Sequence, residues 1–192
     1  MALDQDFWNQ RYVEQQTGWD LGEASPPLVA IFDQIENKNA SILIPGCGNA
    51  YEAQYLLEKG FTNITLIDIA PLLVKELQEQ FVGNKHIHII CADFFDLEGQ
   101  FDYIIEQTFF CALDPSLRKA YVDKMHSLLN PQGILTGVMF SQPFEKEGPP
   151  FGGTQEEYEG LFTGRFILNF SASEHSIPAR QGHELKAVLT KR

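Results

Sequence analysis

The sequence predicts an α/β domain whose mostly parallel, seven-stranded sheet carries an antiparallel hairpin at one edge. Three observations predict it. Short apolar segments alternate with segments of helical period, the signature of a sheet covered on both faces. A glycine pair, Gly46 and Gly48, stands where the first of these strands hands over to a helix. The last two strands have only a loop between them, which suits an antiparallel edge.

The elements follow in order along the chain. Asp4–Gln16 reads as an amphipathic helix, with Phe7, Trp8, Arg11, Tyr12 and Gln15 at helical spacing. Thr17–Gly22 breaks it. Ser25 caps a second helix, with Pro26 and Pro27 in its first turn, running to about Asn37. Ser41–Pro45 is a short strand, followed by a helix from Asn49 to Lys59 that Gly60 closes. Asn63–Asp68 is a strand and Pro71–Phe81 a helix. His86–Cys91 and Phe101–Glu106 are further strands. A helix over Pro115–Leu129 is stopped by Asn130-Pro131-Gln132-Gly133, and Ile134–Phe140 is the next strand. A Gly/Pro-rich loop from Gln142 to Gly153 leads to a short helix, Glu156–Phe162. Arg165–Ser171 and Glu184–Leu189 close the sheet. Without repeats or low-complexity linkers, residues 1–192 read as one domain, with a helical lid over 1–37 and an α/β core over 41–192.

Charge and composition narrow the function. The formal net charge is −12, from 14 Lys and Arg against 26 Asp and Glu. Phosphate binding rests on clustered cations, so a small-molecule substrate is expected and a nucleic acid is not. Lys186, Lys191 and Arg192 read as a solvated tail. No apolar run approaches bilayer length, and the N-terminus lacks the basic start and apolar stretch of a signal peptide. A cytoplasmic protein with no membrane partner is the expectation, and the sequence leaves the oligomeric state open, a monomer being compatible with it. Cys47, Cys91 and Cys111 are odd in number and widely spaced, so each is expected to be a small buried hydrophobe. His86 and His88 lack a third ligand nearby, so no metal is expected.

The strand ends carry the chemistry. In an α/β sheet, ligands bind beyond the carboxyl ends of the strands. Gly46 and Gly48 let the backbone approach a ligand there, and the following helix offers free N–H groups. Asp68 ends the next strand, placed to accept from both hydroxyls of a ribose. Asp93 and Phe94, after the third strand, suit the amino group and ring face of an adenine. This Rossmann-like pattern serves both NAD and S-adenosylmethionine (SAM). Tyr51 stands where the dinucleotide fingerprint needs its third glycine, and the Tyr55–Lys59 pair falls too early for hydride transfer. SAM is favoured, with S-adenosylhomocysteine as its product.

Several runs together resemble the thiopurine methyltransferase-like (TPMT) family, which includes the halide/thiol methyltransferases. They are Phe7–Tyr12, Thr17–Gly22, Ser25-Pro26, Pro45–Gly48, Glu106–Pro115, Gly148–Phe151 and Arg180–Glu184. The resemblance covers nearly the whole chain and implies a class I SAM-dependent methyltransferase fold. It carries cofactor contacts onto Trp8, Tyr12, Trp19, Gly46, Asp68, Ile69, Asp93, Phe94 and Gln107. SAM bears a sulfonium cation, which indole and phenol faces attract, so a helix holding Trp8 and Tyr12 suits a lid. Thiopurine-type members tend to carry Asp-Arg where this chain has Glu106-Gln107. Its E-x-T-F-F run is closer to the halide/thiol branch.

The implied reaction is in-line methyl transfer to a small thiol, halide or thiopurine-like acceptor. A soft anionic nucleophile needs no general base, and no residue stands out as an acid–base catalyst. Positioning falls to Trp19, Phe109 and Phe151, with Phe110 equally suited to the core. Gly148-Pro149-Pro150-Phe151 is expected to line the substrate entrance. The alternatives are a methyltransferase acting on protein or RNA, and a SAM-binding module without turnover.

Overall fold

The computed structural model describes residues 2–192. The strands are β1 (Ile42–Pro45), β2 (Ile64–Asp68), β3 (Ile87–Cys91), β4 (Phe101–Gln107), β5 (Leu129–Phe140), β6 (Phe166–Ala172) and β7 (Glu184–Lys191). They form one sheet in the order β3-β2-β1-β4-β5-β7-β6. All neighbours are parallel except β7, which runs antiparallel to both β5 and β6. The helices are α1 (Gln5–Val13), α2 (Pro26–Phe32), α3 (Tyr51–Glu58), α4 (Pro71–Gln80), α5 (Arg118–Leu128) and α6 (Gln155–Phe162). The chain winds outward from β1 through β2 to β3, then returns to lay β4 on the other side of β1. That reversal opens a crevice at the carboxyl ends of β1 and β4, where α/β sheets bind ligands.

Burial explains the strands. Every residue of β1 and β2 is buried, as parallel strands covered on both faces require. One core, with Leu28, Phe32, Leu56 and Leu73, packs α2, α3 and α4 on one face. The other, with Tyr121, Met125 and Phe162, packs α5 and α6 on the opposite face. Helix α1 packs on the first of these cores through the partly buried Trp8 and Tyr12 and buries no residue completely. Asp4 caps it by accepting from Phe7 N at 3.0 Å, and Asn9 Oδ1 ties it to α4 by accepting from Leu72 N at 2.9 Å.

The fold class expected from the sequence is the one observed, with local corrections. Helix α2 stops at Phe32 instead of Asn37. Helix α3 starts at Tyr51 instead of Asn49, because Ala50 is left-handed (φ 55°) and the Asn49 amide donates to Asp20. The expected helix from Pro115 is divided: Pro115–Leu117 is a separate 3₁₀ turn and α5 begins at Arg118. Asn130–Gly133 does not separate two elements but bulges within β5. Leu129 pairs with Phe101 and Ile134 with Tyr103, leaving the residues between them looped out. Lys191 is no solvated tail, since β7 runs through it and its Nζ donates to Leu129 O at 2.6 Å. Arg192 Nε likewise donates to Phe166 O at 3.0 Å. Cys47 and Cys111 are buried as expected, but Cys91 is exposed, the last residue of the edge strand β3.

Candidate active site

The carboxyl ends of β1 to β4 open into a cavity of about 620 Å³, roofed by α1 and flanked by the loop that holds Lys146, Pro149 and Pro150. Its floor begins at the glycine turn. Gly46 (φ 56°) and Gly48 (φ 51°) are both left-handed, a conformation glycine adopts without steric cost. Space matters as much as dihedral at Gly46. A Cβ there would overlap the Phe109 ring, whose Cγ lies 3.1 Å from that position.

Asp68, the last residue of β2, is buried beside this turn. Its Oδ2 accepts from Gly48 N at 3.3 Å and its Oδ1 from Ala70 N at 3.0 Å. Burial pushes the carboxyl above its ordinary range, and those N–H groups partly offset the rise. One carboxylate thus joins the glycine turn to the start of α4 and still faces the cavity, with Ile69 beside it. After β3, Asp93 Oδ1 accepts from Phe95 N at 2.8 Å, starting a 3₁₀ turn that sets Asp93 and Phe94 in the wall. Phe94 is also core. Its ring meets Phe109 edge-on at 5.1 Å between centroids.

The roof is aromatic. Trp19 meets Trp8 at 5.6 Å and Tyr12 at 6.0 Å, both nearly perpendicular. All three line the cavity. Burial, with Asp68 and Cys47 nearby, raises the Tyr12 phenol far above its usual range, so it remains a neutral hydroxyl.

The end of β4 is built around Glu106, which is almost wholly buried. Its Oε2 accepts from Phe109 N at 3.0 Å and Phe110 N at 3.3 Å, and its Oε1 from the Tyr121 hydroxyl at 3.3 Å. These bonds hold Thr108 at φ 65°, a strained conformation for a β-branched residue. The strain aims Phe109 over Gly46. Burial pushes Glu106 up to about 7, above its ordinary 4.5. Folded Glu106 therefore keeps its proton across a pH window in which the unfolded chain has lost it. Stability falls as pH rises through that window, by an amount on the order of 3 kcal/mol. Glu106→Gln keeps an acceptor for the two N–H groups and has nothing to ionise. Thermal midpoints at pH 5 and pH 8 are expected to show the wild type losing stability relative to this variant at the higher pH. An equal pH response in both proteins would contradict the assignment.

The structure brings Trp8, Tyr12, Trp19, Gly46, Asp68, Ile69, Asp93, Phe94 and Phe109 together around one cavity. Three other expected site residues stand apart from its walls. Gly48 and Gln107 line a smaller adjoining chamber. Phe151 is held by its backbone, its N donating to Cys111 O at 2.7 Å, while Pro149 and Pro150 face the cavity instead. Sequence reasoning missed the charge that Arg11, Lys146 and Arg180 bring to the walls. Arg180 lay within a noted motif, but nothing local signals where its side chain points.

The sheet order, the glycine turn and the carboxylates at two successive strand ends define a SAM-dependent methyltransferase of the class I fold. The cavity has the features such a cofactor requires: a buried carboxylate at Asp68, a glycine at position 46 where a Cβ would clash, and aromatic faces. The chain belongs to the thiopurine S-methyltransferase (TPMT) family, whose model matches residues 3–190. It is 28% identical over 184 residues to a probable thiol methyltransferase 2 of Arabidopsis thaliana, covering 92% of this chain and 81% of that protein. It is 29% identical over 215 residues to a thiopurine S-methyltransferase of Acinetobacter baylyi, covering 97% of each. Among solved structures, the 1,6-didemethyltoxoflavin-N1-methyltransferase of Burkholderia thailandensis, with bound 1,6-didemethyltoxoflavin and S-adenosylhomocysteine, aligns with a TM-score of 0.75. Identity there is 21%, covering 97% of this chain and 86% of that one, so the likeness carries the fold.

Proposed function

We propose that the protein methylates a small soft nucleophile, a thiol, a halide or a thiopurine-like acceptor. One observation carries this reading. Phe109, Leu113, Phe140, Pro149 and Pro150 line the cavity, and among the described residues its only carboxylates are the strand-end Asp68 and Asp93, with no histidine. Glu106 lies behind the wall with three donors already on it. Burial raises the Cys111 thiol far above its usual range, so it is a poor proton acceptor. An acceptor that must lose a proton during attack finds no partner here.

Bound SAM supplies an electrophilic methyl group on a sulfonium. The chain's residues do the rest. Asp68 and Asp93 orient the adenosine end, and Trp8, Tyr12 and Trp19 turn electron-rich faces towards the cation. The apolar walls strip water from a soft anion, which raises its reactivity and holds it in line. Lys146, on the flanking loop, draws that anion in. Helix α1, tied to the body with no residue fully buried, acts as the lid of a single domain. Three free cysteines, one of them exposed, suit the reducing cytoplasm.

Two measurements follow. Methyl transfer to iodide, which has no proton to lose, is expected to hold a constant rate from about pH 6 to 9. Transfer to a thiol is expected to rise with its thiolate fraction. A bell-shaped profile with iodide would reveal a titrating group in the reaction and contradict the reading. Trp19→Ala is expected to weaken SAM binding about fivefold more than S-adenosylhomocysteine binding, since only SAM carries the charge. Equal losses in a competition assay would assign Trp19 to docking α1 alone.

A further inference from the structure

Arg118 is the first residue of α5, and it is only 5% exposed. Neither helix energetics nor burial favours a cation there. The first turn of a helix carries the positive end of its dipole, and a guanidinium loses its hydration on burial. Its partners account for its place. Nη1 donates to Glu157 of α6 and Nη2 to Gly152 O at 2.8 Å, and the guanidinium carbon lies 4.9 Å from the Phe110 ring centroid. Nε is buried with no partner among the described residues. A buried ion pair with a donor left over contributes little to stability compared with apolar packing. What a planar fork supplies is direction.

The fork points at the loop that bears Lys146, Pro149 and Pro150. That loop closes on a narrow neck. Gly152 sits so close to Gln142 O that a Cβ at position 152 would overlap it, and Phe151 N donates to Cys111 O at 2.7 Å. Arg118 joins this neck to the opposite wall. Through Gly152 O it holds the loop, and across the Phe110 face it meets the turn that Glu106 fixes and that carries Phe109. Phe109, Lys146, Pro149 and Pro150 line the cavity, and so does Leu117, the residue before Arg118. Arg118 itself stands behind the wall.

We propose that Arg118 is a positioning residue for the methyl acceptor: it sets the spacing between the Phe109 turn and the loop of Lys146, Pro149 and Pro150. The inference rests on the acceptor lying against that loop, as in the function proposed above. Without the fork the loop opens at its neck, and the acceptor binds only the closed fraction. Apparent affinity then falls with that fraction, while saturating acceptor restores the closed state and most of the rate. Asp68 and Asp93 stand on other strand ends, so cofactor affinity is spared.

Arg118→Lys keeps the charge and lacks the fork, so it cannot hold Gly152 O and Glu157 together. Three measurements on it test the proposal. With whichever of thiophenol and iodide the wild type methylates, KM for the acceptor is expected to rise at least about tenfold and kcat to change less than about threefold. S-adenosylhomocysteine affinity by calorimetry is expected to stay within about twofold of wild type. The Phe151 N–H is expected to lose most of its protection from hydrogen exchange, while the amides of β1 and β2 keep theirs. If Arg118→Lys does not fold, Glu157→Ala carries the same measurements, since that carboxylate is half-exposed, and its KM is expected to rise severalfold. Phe151 protection that is unchanged, or lost with KM unaltered, would overturn the proposal. So would faster exchange in every strand with a matching loss of S-adenosylhomocysteine affinity, which would make Arg118 a support of the fold alone. A wild type that binds S-adenosylhomocysteine but methylates neither acceptor would count against the soft-nucleophile reading, and Phe151 exchange would then decide by itself whether Arg118 holds the loop.

Discussion

Asp68→Ala is expected to weaken S-adenosylhomocysteine binding by about a hundredfold. A hydrogen bond to a charged group contributes roughly 1.5–3 kcal/mol, and a ribose offers two hydroxyls to one carboxylate. The same substitution also frees Gly48 N and Ala70 N, which Asp68 now holds at 3.3 and 3.0 Å. Asp68→Asn separates the two effects. Its single amide oxygen keeps an acceptor for one of the two backbone N–H groups while the charge is removed, so its loss in affinity is expected to be smaller, about tenfold. Unchanged affinity in Asp68→Ala by calorimetry would remove this residue from the ribose role.

Gly46→Ala is expected to do comparable damage by a different route. The left-handed backbone costs a non-glycine residue roughly 1–2 kcal/mol. The added methyl would also overlap the Phe109 ring, which is packed against Phe94 and cannot retreat freely. The ring is then driven into the cavity, and both cofactor affinity and methyl transfer are expected to fall by at least about a hundredfold. Pairing it with Phe109→Ala relieves the overlap but not the dihedral strain. The double variant is therefore expected to recover much of the lost S-adenosylhomocysteine affinity, a non-additivity that a double-mutant cycle measures directly. Simple addition of the two losses would place the whole defect in the backbone.

The parts of this fold legible in the sequence are those where local pattern and burial agree. Strand β1 is an unbroken apolar run and β2 is one interrupted only by Thr65, because helices cover both of their faces, and Asp68 is conspicuous as a carboxylate ending such a run. The reversed strand β7 followed from a loop too plain to hide a crossover helix. Junctions were less legible. Asn130-Pro131-Gln132-Gly133 has turn chemistry, yet pairing on either side of it absorbs the segment as a bulge in β5. Lys191 and Arg192 read as tail residues because nothing local reveals that Leu129 and Phe166 offer them carbonyl oxygens.

The candidate site divides in the same way. Gly46, Asp68 and Asp93 could be read because strand ends in a parallel sheet share one edge, so their positions follow from topology. Arg180 and Lys146 reach the cavity from loops, where side-chain direction is set by tertiary packing. Phe151 shows the converse. Its motif pointed to the cavity, but the hydrogen bond from its N to Cys111 O belongs to a loop path that presents Pro149 and Pro150 instead.

The most direct test is methyl transfer from isotopically labelled SAM to a panel of iodide, hydrosulfide, thiophenols and thiopurines. The expected result is labelled methyl on at least one of these acceptors, saturating with acceptor concentration and abolished in Gly46→Ala. A protein that binds S-adenosylhomocysteine yet transfers label to none of them would contradict the assignment of a small soft nucleophile.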